Sequence, residues 1–83
     1  PSFAAMCGVM IGHVRDEVEA KGERIGSQSV RKHIAGCFKG RPGAANLRKR
    51  IFAEETSAGM IAVLEAAAQV GEPALAGDPR REG

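Results

Sequence analysis

The chain contains no tryptophan and no tyrosine, and phenylalanine occurs only three times. Large aromatic side chains supply much of the area that a small domain buries, so 83 residues of this composition can form one modest hydrophobic core. The longest mostly apolar stretch, residues 3–12, is far shorter than the roughly 20 residues that span a bilayer, and no basic segment precedes it. The sequence therefore predicts neither a membrane anchor nor a signal peptide.

Cysteine is scarce as well. Cys7 and Cys37 lie 30 positions apart, and neither belongs to a CxxC pair. This spacing favours reduced thiols in a cytoplasmic protein over a disulfide framework or a zinc site, although a single disulfide between the two remains open. We predict no metal site and expect both cysteines to be small buried apolar residues. Because the sequence begins with Pro1 and not with methionine, we also expect a fragment or a processed product.

Acidic residues are missing from the middle of the chain. Residues 24–53 contain eight Lys or Arg and no Asp or Glu, whereas the segments before and after them are net acidic. The overall charge of +2 therefore conceals a basic band between two acidic ends. Such a band attracts polyanions, because lysine and arginine release condensed counterions from phosphates. From charge alone, a solvated helix face explains the pattern about equally well.

Apolar residues recur every three to four positions, and no segment alternates with the period of a strand. We therefore predict an all-α protein, a small four-helix bundle formed by residues 1–70 and followed by a disordered tail at 71–83. The apolar stripes of the four helices predict the core residues Met10, Val14, Val18, Val30, Ile34, Phe38, Leu47, Ile51, Ile61 and Leu64.

Turn and capping residues predict the helix boundaries. Gly22 is expected to end the first helix, and the turn GERIG is expected to lead to Ser27 as the N-cap of the second. The segment KGRPG is expected to separate the second helix from the third, since proline suits a first helical position. The helices are predicted over residues 3–21, 28–38 and 43–54 and from a Thr56 or Ser57 cap onward.

The segment RKHIAGCFKGRPGAANLRKRI, residues 31–51, follows GERIG and precedes the Thr-Ser cap. Its basic triplet, its Lys-Gly-x-Pro-Gly-Ala turn and Arg48 occur in the order and at the spacing of a known family. The chain resembles, from about Met10 to Leu64, the C-terminal helical domain of bacterial tRNA-dihydrouridine synthases.

The resemblance implies a helical module that grips tRNA. In that family a flavin-binding TIM barrel uses FMN and a nicotinamide donor, NAD(P)H, to reduce selected uridines. Such a barrel needs about 200 residues, so this chain cannot contain it. We therefore expect no catalytic residue and no cofactor in this chain, and we expect the barrel to be joined to it in cis if the chain is a fragment. The expected partner is tRNA, without a membrane.

The candidate RNA-binding residues rest on two kinds of support. Basic charge and matching family positions together predict phosphate contacts by Arg31, Lys32, Lys39 and Arg48. Charge alone supports Arg41, Lys49 and Arg50. His33 is a further candidate for an RNA contact, but a histidine at the core edge, bonded to a backbone carbonyl, is the favoured interpretation for it and for His13.

Two other classes of function are consistent with the pattern. The second and third helices with their Gly-Pro turn could form a helix-turn-helix DNA-binding domain, with ANLRKRIF in the major groove. Against this interpretation, few side chains other than arginine and Asn46 suit bidentate base reading. The acidic ends and the alanine-rich fourth helix could instead belong to a helical protein-interaction module.

Overall fold

The computed structural model describes residues 2–38, 40–41 and 43–70, except for the side chain of Ala35. Over this part of the chain it contains four α-helices and no strand, which confirms the predicted all-α fold. The predicted tail at residues 71–83 lies outside the described residues, as do Lys39 and Pro42. The helices are α1 (Phe3–Lys21), α2 (Glu23–Cys37), α3 (Ala44–Phe52) and α4 (Ser57–Val70).

The second helix begins earlier than the sequence predicts. It starts at Glu23, directly after Gly22, so the predicted GERIG turn and Ser27 cap are wrong. Gly22 reverses the chain by itself, because its φ of 88° lies where residues with a Cβ are rarely found. Gly26 then donates its backbone N–H to the Gly22 carbonyl at 2.8 Å, as a helical residue does. Ser27 is buried within α2, where its hydroxyl donates to the Arg24 carbonyl at 3.1 Å.

Helices α1 and α2 pack side by side in opposite directions. The buried Gly26 lies against α1 so closely that a Cβ there would be 2.6 Å from Val18 Cα and 2.7 Å from the Glu17 carbonyl oxygen. At the other end of the pair, the rings of Phe3 and Phe38 have centroids 5.4 Å apart. The start of α1 is therefore next to the end of α2, and glycine at position 26 permits the contact between the backbones.

The core lies where α1 packs against α2 and α4 and where α3 packs against α4 and α2. Most of the predicted core residues are buried, and the remaining two, Val18 and Ile61, are half-buried and packed against the core. Four further side chains are buried that the predicted core did not include: Phe3, Ala44, Met60 and Ala67. Cys7 is buried as well, as predicted.

A carboxylate of α2 fixes the start of α4. Both oxygens of Glu23 accept hydrogen bonds from Ser57, one from its backbone N–H and one from its hydroxyl, each at 2.7 Å. The backbone hydrogen bond and then the hydroxyl hydrogen bond lower the pKa of Glu23, because both favour the charged carboxylate. Thr56 Oγ1 accepts from the Gly59 N–H at 3.1 Å, which confirms the predicted cap. The start of α4 is thus held both by its own cap and by α2.

Candidate nucleic-acid interface

Three consecutive residues of α2 that are predicted to contact RNA point in different directions. Since an α-helix turns by about 100° per residue, neighbours in sequence cannot share one face. Arg31 reaches the connection between α3 and α4, Lys32 is exposed, and His33 contacts α1. The structure therefore does not bring this triplet together into one strip of contacts.

Arg31 joins α2 to the connection between α3 and α4. Its Nη2 donates to the Glu54 carbonyl oxygen at 2.6 Å, while its Nε is buried and has no hydrogen-bond partner among the described residues. Glu54 lies between α3 and α4, outside any helix, so the guanidinium satisfies a carbonyl that would otherwise need water. Arg31 therefore has a structural contact, and its predicted contact with phosphate remains a prediction.

His33 contacts α1 through its ring. Its ring is exposed and packs edge to face against His13, with centroids 4.4 Å apart and planes inclined by 77°. His13 is the more enclosed of the two, and its Nε2 is buried without a hydrogen-bond partner in the part of the chain that the structure describes. The expected bond from His33 to a backbone carbonyl is thus replaced by a ring contact between α1 and α2. His33 remains accessible to a ligand.

A polar cleft lies beside the outer face of α2, where α1 ends. Its volume is about 250 Å³. The residues on α2 that line it are three to four positions apart, a spacing that places them on one face of the helix. Lys32 has neither a hydrogen-bond partner nor an ion-pair partner among the described residues. We name as the lysine cleft the five lining residues Lys21, Ile25, Gln28, Ser29 and Lys32.

A hydrogen-bonded network joins Glu17 to Lys21 and Ser29, two of the residues that line the lysine cleft. Lys21 Nζ lies 2.8 Å from Glu17 Oε1 and 3.3 Å from Ser29 Oγ. The Ser29 hydroxyl donates to the same Glu17 oxygen at 2.7 Å, which closes the network across α1 and α2. The hydrogen bonds from Lys21 and then Ser29 lower the pKa of Glu17 to about 2, because both favour the charged carboxylate.

We expect acid to weaken this network. Because the pKa of Glu17 is lowered in the folded protein, its contribution is complete above the ordinary value of 4.5 and is lost as the pH falls toward about 2. Glu17→Gln should therefore lower Tm at pH 6, and its difference from the wild type should shrink between pH 4.5 and 2. Thermal unfolding followed by circular dichroism measures both, with the exposed Glu19→Gln as control. A difference that stays constant over this range would contradict the role of Glu17.

Helix α3 presents its cations away from the core. Its buried stripe consists of Ala44, Leu47 and Ile51, so the other faces of the helix are left for the basic residues. Lys49 and Arg50 are exposed, and Arg48 is half-buried. Arg41 is half-buried in the connection between α2 and α3, and Lys39 lies outside the described residues. Both α2 and α3 therefore present basic side chains to solvent, as the charge pattern predicts.

Three residues of the lysine cleft were not among the RNA-binding residues predicted from the sequence: Lys21, Gln28 and Ser29. Lys21 lies in the net acidic first part of the chain, and the other two carry no charge. The spacing of Glu17 and Lys21 was the available signal, since residues four apart on a helix face each other. The contact between Ser29 and Glu17 could not be predicted from the sequence, because it depends on α2 beginning at Glu23.

Cys7 and Cys37 are free thiols in the structure, Cys7 buried and Cys37 half-buried. Burial, and to a lesser extent the proximity of Cys37, raises the pKa of Cys7 to about 11, so Cys7 is a poor nucleophile at neutral pH. Within the described residues, no group of His, Cys, Asp and Glu side chains is arranged to hold a metal ion. No described helix is both long enough and apolar enough to cross a membrane.

The chain matches no protein-family model, no curated protein and no solved structure.

Proposed function

We propose that this chain is a tRNA-binding helical module of the kind found at the C-terminus of tRNA-dihydrouridine synthases. The exposed cations of α2 and α3 would hold the RNA backbone. Catalysis would belong to a flavin barrel in the parent enzyme, which would use FMN and NAD(P)H in the cytoplasm. The resemblance of residues 31–51 to that family supplies the choice of tRNA.

The main structural support for this function is that several exposed or half-buried cations have no carboxylate partner in the part of the chain that the structure describes. Lys32, Arg48 and Lys49 have no carboxylate partner among the described residues, although acidic segments flank the basic band on both sides. Instead, Glu17 bonds to Lys21 and Ser29, and Glu23 bonds to Ser57. Within the described residues, these acidic side chains thus leave Lys32, Arg48 and Lys49 uncompensated. Unpaired cations on neighbouring helices create a positive potential that attracts a phosphate backbone.

Charge reversal on both helices tests the proposal. We expect Lys32→Glu combined with Lys49→Glu to weaken tRNA binding about tenfold or more, since each reversal replaces an attraction to phosphate with a repulsion. Both side chains are exposed, so the change in Tm should be small. Fluorescence anisotropy with labelled tRNA at several salt concentrations measures the affinity.

The matched control is Arg15→Glu, an equal change of charge at an exposed position of α1 outside the basic band. It should weaken binding less than either single reversal, Lys32→Glu or Lys49→Glu. Equal losses from all three variants would indicate a response to net charge and contradict a defined interface. Tighter binding to duplex DNA than to tRNA would favour a helix-turn-helix function, and absence of binding to both would favour protein interaction.

A further inference from the structure

We propose that the lysine cleft binds a phosphodiester group of the RNA, with the ammonium groups of Lys21 and Lys32 as its cationic partners. This inference rests on the proposed function and adds a specific subsite to it. It assigns a ligand contact to Lys21, which precedes the basic band, and to Gln28 and Ser29, which lie within the band but carry no charge.

The chemistry of the lining suits a phosphate. Two ammonium groups can neutralise its charge, and the Gln28 amide can donate to its oxygens. The Ser29 hydroxyl, whose one hydrogen goes to Glu17, can accept from a ribose hydroxyl. Ile25 is 52% exposed beside these polar groups and offers an apolar surface to a sugar or base. The volume of about 250 Å³ is below the range of roughly 300 to 1,000 Å³ of pockets for drug-sized ligands. It therefore suits one phosphate with part of its sugar.

Lys21 is held in position before a ligand arrives. Its ammonium has three donors, and Glu17 and Ser29 accept two of them. One donor is left for a phosphate oxygen, and the network fixes the side chain so that less rotamer freedom is lost on binding. Lys32 lines the same cleft, has no internal partner among the described residues and keeps all three donors. Lys21 is thus oriented by the protein, whereas the side chain of Lys32 is free to move toward the ligand.

Glu17 opposes the ligand while it orients Lys21. Its carboxylate is ionised at neutral pH, because hydrogen bonds from Lys21 and Ser29 lower its pKa to about 2. The negative charge beside the cleft repels phosphate and competes with it for the Lys21 ammonium. Removing that charge should strengthen RNA binding even though it removes a contact within the protein.

The experiment compares the tRNA affinity of the full chain and three variants over a range of salt concentrations. For Lys21→Met we expect weaker binding and a log-log salt slope reduced by about 0.7 to 0.9, the change for one lost phosphate contact. For Glu17→Gln we expect binding about two- to fivefold tighter, the range of an exposed ion pair. Lys49→Met removes a charge of the basic band outside the cleft, so its effect on tRNA affinity measures the contribution of the band without the cleft.

The possible outcomes separate this inference from the proposed function. If the wild type does not bind tRNA, the proposed function fails, and the subsite fails with it. If Lys49→Met weakens binding while Lys21→Met leaves both the affinity and the salt slope unchanged, only the subsite is overturned. A lower Tm of Lys21→Met without a change in salt slope would likewise show that Lys21 only joins α1 to α2.

A second measurement distinguishes a polynucleotide from free phosphate. NMR titration with a short oligouridylate should shift the amide signals of Gln28 and Ser29 in the wild type, and much less in Lys21→Met. Inorganic phosphate at the same phosphate concentration should give smaller shifts. Equal shifts from inorganic phosphate would overturn the assignment to RNA.

Discussion

Gly26→Ala should destabilise the protein by about 1 to 3 kcal/mol, as overpacking in a close contact does. The new Cβ would lie 2.6 Å from Val18 Cα and 2.7 Å from the Glu17 carbonyl oxygen, and carbon atoms pack at about 3.5 to 4.0 Å. Both neighbours belong to the backbone of α1, so no side-chain rotation relieves the contact and the helices must separate. The strain is expected to exceed the gain in helix propensity of up to about 1 kcal/mol. Urea unfolding followed by circular dichroism measures the change.

Gly8→Ala makes the same chemical change without the contact. Gly8 is an exposed residue inside α1, and a Cβ there would meet nothing within 4 Å. We expect this variant to be more stable than the wild type by about 0.5 to 1 kcal/mol. If the two variants showed similar changes in stability, the close packing of α1 on α2 at Gly26 would be wrong.

The same substitution should also affect the lysine cleft. Gly26 lies three residues before Ser29, and its contact with Glu17 and Val18 sets the separation at which Ser29 reaches the Glu17 carboxylate. A wider separation lengthens that bond and the bond from Lys21 to Ser29, so Lys21 is held only by Glu17 of its own helix. We therefore expect folded Gly26→Ala protein to bind tRNA less tightly than folded Gly8→Ala protein.

Arg31→Met should lower the free energy of unfolding by about 1.5 to 3 kcal/mol, the range for a hydrogen bond from a charged group. The substitution removes the bond to the Glu54 carbonyl at 2.6 Å, which ties α2 to the connection between α3 and α4. It also removes a buried Nε that has no partner among the described residues, so the lower end of the range is expected. Urea unfolding measures the loss.

Lys32→Met is the matched control, because it removes a charge from the next residue of the same helix. Lys32 is exposed and without an internal partner among the described residues, so its loss should change stability by no more than about 0.5 kcal/mol. Its effect should appear in tRNA affinity instead. Arg31→Met should weaken tRNA binding less than Lys32→Met does, when both are measured under folding conditions. Unchanged stability with a large loss of affinity in Arg31→Met would show that Arg31 is primarily a phosphate ligand.

The two substitutions together test which cations of the basic band stabilise the fold and which bind RNA. A charge count treats Arg31 and Lys32 alike, and so does their shared position in the segment that resembles the synthases. Their surroundings differ, because one residue reaches a backbone carbonyl of a neighbouring element while the other lines an open cleft. A cation that is engaged within the protein has fewer donors left for a ligand.

Local sequence signals determined the helices and most of the core. The apolar stripe from Met10 to Val14 and the pair Val30 and Ile34 are periodic, and periodicity reports which face of a helix is buried. The Thr56 cap was also readable, because a side-chain oxygen satisfies a backbone donor only three residues away. The basic band is likewise a property of the sequence and does not depend on how the helices pack.

Only the tertiary structure decided where α2 begins and what its polar residues contact. Gly26 looked like part of a turn because glycine weakens a helix, yet its missing side chain is what lets α1 approach. With α1 packed this closely, α2 begins at Glu23. The same packing brings Ser29 within hydrogen-bonding distance of Glu17, beside the lysine cleft. The bond from Arg31 to Glu54 spans 23 positions of sequence. Periodicity and capping describe interactions within a few residues, whereas these contacts depend on the distance between helices, which packing alone sets.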